Sequence, residues 1–179
     1  MNLLAEQKPD IVIIDLNLGD EDGLDLIKQV SEQFPAIKIL VLSMLQERYY
    51  TERSLAAGAR GYVMKDAAAD TLISAMRTVL SGKIWVSDSE QARYIDSLFQ
   101  TRSQGAARKD PMELLSDRQL RIFRMLGKGH STPEMAETLS ISTKTVDAHK
   151  EQLKKKLGCA SAQELLRLAI SWNKDSPSD

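Results

Sequence analysis

The chain has 179 residues, enough for one large domain or two small ones, and its 42% hydrophobic fraction is sufficient for packed cores. Its formal net charge of −1 excludes a global basic field for nucleic acid, so any positive surface must be local. The single cysteine, Cys159, excludes an intramolecular disulfide framework, and neither a membrane-length apolar run nor a signal pattern is present. We therefore expect a cytoplasmic protein without a metal site.

Strand and helix signals alternate in the first half of the chain. Short apolar runs predict buried parallel strands, and amphipathic stretches between them predict helices. The predicted strands cover residues 10–15, 37–43 and 61–65, and the predicted helices cover residues 23–33, 50–57 and 69–80. This alternation predicts an α/β unit with a parallel three-stranded sheet of the doubly wound kind and right-handed crossovers.

Polar residues stand where the three predicted strands end. These residues are Asp15, Ser43 and Lys65. The carboxyl ends of parallel strands meet at one edge of a sheet, where the sites of doubly wound folds lie. Asp15 could accept a phosphoryl group as a nucleophile, while Lys65 neutralises a phosphoryl oxygen and Ser43 donates a hydrogen bond to it.

Residues 87–112 are predicted to form a linker between two domains. Residues 90–99 could form one helix, because Ala92, Ile95, Leu98 and Phe99 share a face. Residues 100–111 are polar and show no period, so we expect them to be mobile. The predicted domains are then residues 1–86 and 113–179.

Helix start signals recur through the last third of the chain. Capping residues at positions 116–117, 131, 142–143 and 161 predict four short helices. In the third, residues 143–157, one apolar stripe contains Val146, Leu153 and Leu157, and Gly158 ends the helix. Its polar side is the predicted DNA-contact surface, formed by Thr143, Lys144, Asp147, Lys150, Glu151 and Lys154. A short helix, a tight turn and a longer helix present side chains to a major groove; a solvated surface helix is the alternative.

Residues 115–158 resemble the LuxR-type helix-turn-helix that ends NarL/FixJ response regulators. They carry the pattern L-S-x-R-Q…G-x-G-x-S-T-x-E-M-A-x-x-L-x-I-S-x-K-T-V-x-x-H-x-x-x-L-x-x-K-L-G. The resemblance implies a transcription regulator of a two-component system that binds double-stranded DNA as a dimer. We expect the last helix to pair two modules through Leu165, Leu166 and Ala169.

The first part of the chain resembles the receiver domain of response regulators, which has a flavodoxin-like fold. In that pattern Asp15 falls on the phosphoacceptor, Ser43 on the switch hydroxyl, Tyr62 on the switch aromatic residue and Lys65 on the phosphate-binding lysine. The resemblance implies a sensor histidine kinase as a partner.

Two departures from the LuxR-type pattern bear on function. Gln119 stands where the family usually has Glu, and we expect this change to cost only a surface interaction. Asp147 and Glu151 stand where members often carry basic or neutral residues that face the groove. Carboxylates can accept a hydrogen bond from the amino group of cytosine, but they weaken the attraction of nearby lysines to phosphate. The preferred DNA sequence is therefore not transferable from relatives.

The receiver pattern is truncated, because a receiver has five βα units and three are recognisable here. Residues 1–7 read as the end of the second helix, so the acidic pair that binds magnesium is not recognised. We expect no resident cofactor, with Mg²⁺ only if an acidic pocket is completed upstream of Met1, and little phosphorylation of Asp15. The first recognised strand then becomes an exposed edge, which predicts a homodimer or larger assembly.

Two further functions remain open. The chain could be an interaction partner that dimerises with full-length response regulators and blocks their sites without binding DNA productively. It could also be a phosphatase of the haloacid-dehalogenase type, since Asp15 follows an apolar strand and a serine and a lysine follow later. That enzyme needs a second aspartate where Asn17 stands. We therefore expect a regulator that is not an enzyme and has no catalytic residues.

Overall fold

The computed structural model describes residues 2–18, 21–100 and 110–174, apart from the side chains of Asn2, Leu18, Glu21, Ser97, Leu98 and Gln100. The chain divides into two compact units, Met1–Gly105 and Ala106–Asp179. Most of the predicted mobile segment, residues 101–109, lies outside the described residues. The domain boundaries given above therefore stay predictions.

The first unit is an α/β unit, as predicted. Its elements are α1 (Asn2–Gln7), β1 (Ile11–Ile14), β2 (Asn17–Leu18), β3 (Glu21–Asp22), α2 (Gly23–Gln33), β4 (Lys38–Ser43), α3 (Glu47–Ala57), β5 (Gly61–Met64), α4 (Ala69–Leu80) and α5 (Asp88–Gln100). The parallel sheet has the order β1-β4-β5, with Ile13 opposite Leu40 and Leu42 opposite Val63. Asp15 and Lys65 directly follow their strands and Ser43 ends β4. All three residues therefore lie at the carboxyl ends of the parallel strands.

Successive side chains of a strand point to opposite faces of the sheet, so each face is packed by a different set of residues. On one face, Leu40 and Val63 pack with Ala75 and Val79 of α4. β1 is an edge strand of the described sheet, as expected, and Ile13 on it is 40% exposed.

Two local features differ from the predictions. The antiparallel pair β2–β3 was not predicted, because strands of two residues are too short to show a period. Helix α5 begins at Asp88 rather than at residue 90, and its first half packs on α3. Arg93 donates to the carbonyl of Arg48 at 2.9 Å and pairs with Glu90, so this part of the predicted linker belongs to the first unit.

The second unit is all-helical, as predicted. Its elements are a 3-10 turn (Pro111–Leu114), α6 (Asp117–Gly127), α7 (Thr132–Thr138), α8 (Thr143–Leu157) and α9 (Ala162–Lys174). Its core comes from every α-helix and includes Leu120, Phe123, Met135, Val146, Leu153 and Leu165. Gly127 is required where α6 crosses α9, because a Cβ there would collide with the carbonyl of Ala169.

Candidate functional site

Helix α8 is fixed at both ends by its own sequence. The Ser142 hydroxyl accepts a hydrogen bond from the Thr145 amide at 3.1 Å, which resolves the choice between residues 142 and 143 as the cap. The helix ends at Gly158, whose φ of 70° is left-handed and suits glycine. Val146 and Leu153 are fully buried, so the predicted apolar stripe faces the module.

The opposite side of α8 is open to solvent. Thr143, Lys144, Asp147 and Glu151 are exposed, whereas Lys150 and Lys154 are half-buried. Ala148 and Lys155 are also exposed on this side, although neither was among the predicted DNA contacts. At 100° per residue both lie near Lys144 on the helical wheel, so helical geometry contained the signal that would have identified them. The exposed centre of this face therefore carries charges of both signs and one small apolar side chain.

Two of the predicted phosphate-binding lysines already have partners within the module. The Lys154 ammonium lies 2.8 Å from Glu151, and the lysine side chain is 21% exposed. The Lys150 ammonium donates to the hydroxyl of Thr132 at the start of α7, which ties the two helices of the motif together. Lys144 is exposed, so its charge is the most accessible of the three to a DNA backbone.

The expectation that Gln119 costs only a surface interaction is wrong. Gln119 is only 4% exposed, because it lies in the first turn of α6 on the side that contacts α8. Its side-chain oxygen accepts from the Ser116 amide at 3.1 Å and from the Lys156 ammonium at 2.8 Å. Its side-chain nitrogen donates to Gln152 at 2.8 Å. The sequence showed a capping position but not the two partners on α8.

Two of the three residues predicted to pair two modules through α9 also require correction. Leu165 is 1% exposed and Ala169 is fully buried, because both face the interior of the same module, where α9 packs on α6. Neither is available to a second copy in this conformation, and Leu166 is half-buried. The exposed side of α9 instead carries Arg167 and Ile170, the latter 38% exposed.

The three strand-end residues of the first unit lie together, as predicted. The Lys65 ammonium is 2.6 Å from the Asp15 carboxylate, whose second oxygen accepts from the Asn17 amide at 3.0 Å. Burial alone would raise the pKa of Asp15, but hydrogen bonds from Lys65, the Asn17 amide and Ser43 outweigh it. The pKa of Asp15 therefore lies below its ordinary value of 3.8, and the carboxylate is ionised at neutral pH.

A buried pair of contacts links this site to the loop between β4 and α3. Ser43 is fully buried, and its hydroxyl accepts from the Leu45 amide at 3.3 Å. The fully buried Tyr62 donates its hydroxyl to the Leu45 carbonyl at 2.8 Å, and burial raises its pKa well above the ordinary value. The position of Leu45 is therefore bound both to Ser43 and to Tyr62.

A carboxylate at the start of α3 continues this connection to α5. Glu47 accepts from the Ser87 amide at 3.3 Å. Burial raises the pKa of Glu47, hydrogen bonds from Ser87 oppose that effect, and the nearby Glu90 adds to it. The Glu47 side chain therefore connects the start of α3, next to the loop that holds Leu45, to Ser87, which directly precedes α5.

The described residues around Asp15 do not form a site for Mg²⁺. Hard divalent cations need several oxygen ligands, and magnesium in proteins is usually held by one or two carboxylates together with water and phosphate oxygens. Both oxygens of Asp15 are already engaged, and the described part of the chain contains no group of three or more metal-ligating side chains. Among the described residues every helix is also too short or too polar to span a membrane.

Comparisons with known proteins match both units to families. Residues 1–77 match the response regulator receiver domain, and residues 113–169 match the bacterial regulatory proteins of the luxR family. The chain is 36% identical over 169 residues to the oxygen regulatory protein NreC of Staphylococcus aureus strain MRSA252, covering 93% of this chain and 78% of NreC.

Solved structures of RcsB are also similar. RcsB from Salmonella enterica serovar Typhimurium, bound to promoter P1flhDC in the presence of phosphomimetic BeF3−, is 25% identical with a TM-score of 0.65. That match covers 95% of this chain and 79% of RcsB. A structure of two RcsB dimers bound to two parallel DNAs is 25% identical with a TM-score of 0.61, covering 93% of this chain and 76% of the other.

Proposed function

Since the chain belongs to the response regulators that join a receiver domain to a LuxR-type helix-turn-helix, we propose that it binds double-stranded DNA as a dimer through α8. The observation that carries this proposal is the division of α8 into a fully buried stripe and an exposed polar face. A helix held in this way can enter a major groove without disturbing the core of its module. The similar RcsB structures contain DNA, which supports the same activity here.

We assign groove contacts to the exposed polar face of α8. The assigned residues are the exposed Thr143, Lys144, Asp147 and Glu151, together with the half-buried Lys150 and Lys154 at the border of this face. Lys144 is the main phosphate ligand, because its ammonium is accessible, whereas Lys150 and Lys154 have partners within the module. Asp147 and Glu151 accept hydrogen bonds from cytosine amino groups and disfavour guanine, whose groove edge presents only acceptors.

The dimer on DNA forms through the exposed side of α9, with Ile170 as the apolar contact and Arg167 at its border. This assignment replaces the buried Leu165 and Ala169 and keeps α9 as the pairing element. Two modules paired about a twofold axis place their α8 helices one DNA turn apart, about 34–36 Å. The similar structure of two RcsB dimers bound to two parallel DNAs supports a dimer on DNA, and the pairing through α9 is our own assignment.

The first unit acts as the regulatory part, with Asp15 as the phosphoacceptor and Lys65, Ser43 and Tyr62 as its supports. An ionised Asp15 can attack the phosphorus of a phosphohistidine on a kinase: a bond from a carboxylate oxygen to phosphorus forms, the phosphorus–nitrogen bond breaks, and the kinase histidine leaves. Lys65 would then hold a phosphoryl oxygen of the product. Movement of the Ser43 hydroxyl toward that phosphoryl group would release the Leu45 amide, and Tyr62 would follow the Leu45 carbonyl. We expect this reaction to be slow and assembly to be the main means of control, because Lys65 and the Asn17 amide already engage both oxygens of Asp15.

A second candidate function rests on the outer edge of β1, with which no strand of the described residues pairs. Unpaired strand edges bind other chains readily, and Ile13 on this edge is 40% exposed. The chain could therefore dimerise with a complete response regulator through the sheet and withhold it from DNA. Size-exclusion chromatography with a purified relative such as NreC distinguishes this function, since a mixed complex that no longer retains DNA is expected only in that case.

The experiment that tests the proposed function is enrichment of random duplexes by the full chain. A retained sequence with two related half-sites is expected. Substitution of both groove-facing acids, Asp147→Asn with Glu151→Gln, should change the base preference at the positions where the wild-type sequence carries cytosine. Retention of the same sequence by the double variant would refute the assigned contacts, and enrichment of no sequence would refute DNA recognition itself.

A further inference from the structure

The side chain of Gln119 makes more contacts than its capping role requires. It lies three residues after Ser116, the N-cap of α6, and its oxygen accepts from the Ser116 amide, which completes the capping box. The same oxygen accepts from Lys156, and its nitrogen donates to Gln152. Two of the three contacts therefore reach α8 and add nothing to the cap of α6.

The spacing of Gln152 and Lys156 indicates that the contacts restrict the movement of α8. Gln152 and Lys156 are four residues apart, about one helical turn or roughly 6 Å along α8. One planar amide that binds successive turns of a helix restricts both the sliding of the helix along its axis and its rotation about that axis. The Lys156 ammonium also donates to the Leu114 carbonyl at 2.8 Å, so the 3-10 turn belongs to the same network.

We infer that Gln119 is a positioning residue for the recognition helix: its amide fixes the rotation and axial position of α8, and thereby the base contacts of the exposed face. The inference rests on the proposed DNA binding and concerns how the helix is aimed, not whether the module folds. Val146 and Leu153 anchor α8 by burial, but apolar packing alone tolerates small rotations better than directional hydrogen bonds do.

The residues around Gln119 allow its effect on the orientation of α8 to be distinguished from its effect on folding stability. Gln152 and Lys156 are exposed residues, so water can satisfy both once Gln119 is shortened. Gln119→Ala is therefore expected to let α8 rotate and shift more freely, with a modest loss of folding stability because the Ser116 amide also loses its acceptor. Gln119→Glu keeps an acceptor for Ser116 and Lys156, and the amide of Gln152 can turn over to donate to the carboxylate. The Glu variant should consequently rescue what the Ala variant loses.

The test uses the full chain in four forms: unaltered, Gln119→Ala, Gln119→Glu and the control Ile122→Val. Ile122 is fully buried in the same helix, and its substitution thins the core without removing a polar contact. Dissociation constants are measured for the enriched duplex and for a shuffled duplex at one salt concentration. Hydrogen exchange of the α8 amides and melting temperatures are measured in parallel.

Gln119→Ala is expected to lower the preference for the enriched duplex about tenfold and to change shuffled-duplex binding by less than about twofold. Faster exchange in α8 should accompany the loss, and Gln119→Glu should restore the preference. Ile122→Val should lower the melting temperature but keep the preference. An unchanged preference in Gln119→Ala, a loss that follows melting temperature in all variants, or a failure of Gln119→Glu to rescue would overturn the inference. If the unaltered chain retains no duplex, the proposed function fails and this inference falls with it.

Discussion

Glu151→Gln is expected to strengthen nonspecific binding, that is, binding to duplexes that lack the preferred sequence. Glu151 lies 2.8 Å from the Lys154 ammonium, and its own side chain is 63% exposed on the face assigned to the groove. The carboxylate therefore repels phosphates and also occupies a lysine that could otherwise contact one. Gln has a similar shape and helix propensity, so the substitution changes charge and leaves α8 intact.

The magnitude follows from the number of phosphate contacts. Releasing Lys154 adds about one contact, so the slope of log K against log salt should steepen by about 0.9. If both proteins bind equally near 1 M salt, this slope corresponds to roughly eightfold tighter binding near 0.1 M. Lys144→Ala should flatten the slope by about 0.9, whereas Lys154→Ala should flatten it less, because Glu151 already offsets its charge. Loss of an exposed ion pair is worth at most about 1 kcal/mol, so melting temperature should hardly change.

Fluorescence anisotropy with a labelled duplex of arbitrary sequence, over a series of salt concentrations, measures these slopes. The matched control is Glu32→Gln, which makes the same charge change at an exposed position of α2. An unchanged slope in Glu151→Gln, or the same steepening in Glu32→Gln, would refute the reasoning, since the effect would then be absent or due to net charge alone.

Four further predictions concern stability, ionisation and assembly. Glu47→Gln should raise the melting temperature at neutral pH, because burial raises the pKa of Glu47 and the folded state therefore favours an uncharged side chain. The gain should vanish below pH 4.5, where the Glu47 carboxyl is protonated in the unfolded state too. A gain in melting temperature that persists below that pH would contradict this cause. Lys65→Met should raise the pKa of Asp15, followed by carbon NMR of the carboxyl, because the burial remains while the hydrogen bond from lysine is lost; an unchanged titration would show that Lys65 does not hold the carboxylate. Incubation with a small phosphodonor and magnesium should phosphorylate only a small fraction of Asp15, as measured by mass spectrometry. Efficient phosphorylation that Asp15→Ala abolishes would contradict this expectation. Leu165→Ala should destabilise the second unit by about 2–5 kcal/mol in chemical denaturation. Ile170→Ser should leave the free energy of unfolding unchanged and weaken self-association. If Leu165→Ala instead weakened self-association without destabilising the fold, Leu165 would belong to the dimer surface after all.

The elements that the sequence predicted well have their determinants close together in the chain. Helix α8 runs over the predicted residues because its cap at Ser142 and its terminating Gly158 are both local signals. The meeting of Asp15, Ser43 and Lys65 needed only the rule that parallel strands end at the same edge of a sheet. Such features depend on periodicity and topology, and both can be read from a single sequence.

The features that were missed depend on partners distant in sequence. Gln119 was expected to make only a surface interaction, because its hydrogen-bond partner Gln152 lies 33 positions later in the chain. Leu165 and Ala169 show a helical apolar stripe, but periodicity reveals which face is covered and not whether the covering surface belongs to the same copy. The assignment to a dimer surface was therefore wrong, although α9 was predicted as a helix.

The most direct test of the central claim is a mobility-shift titration of the full chain with its enriched duplex, compared with the variant Lys144→Ala. We expect a saturable complex that contains two chains per duplex and binds half-sites one turn apart. Both Lys144→Ala and added salt should weaken this complex. Absence of any sequence-selective complex, or a complex that neither Lys144→Ala nor salt weakens, would contradict the claim that α8 reads the major groove.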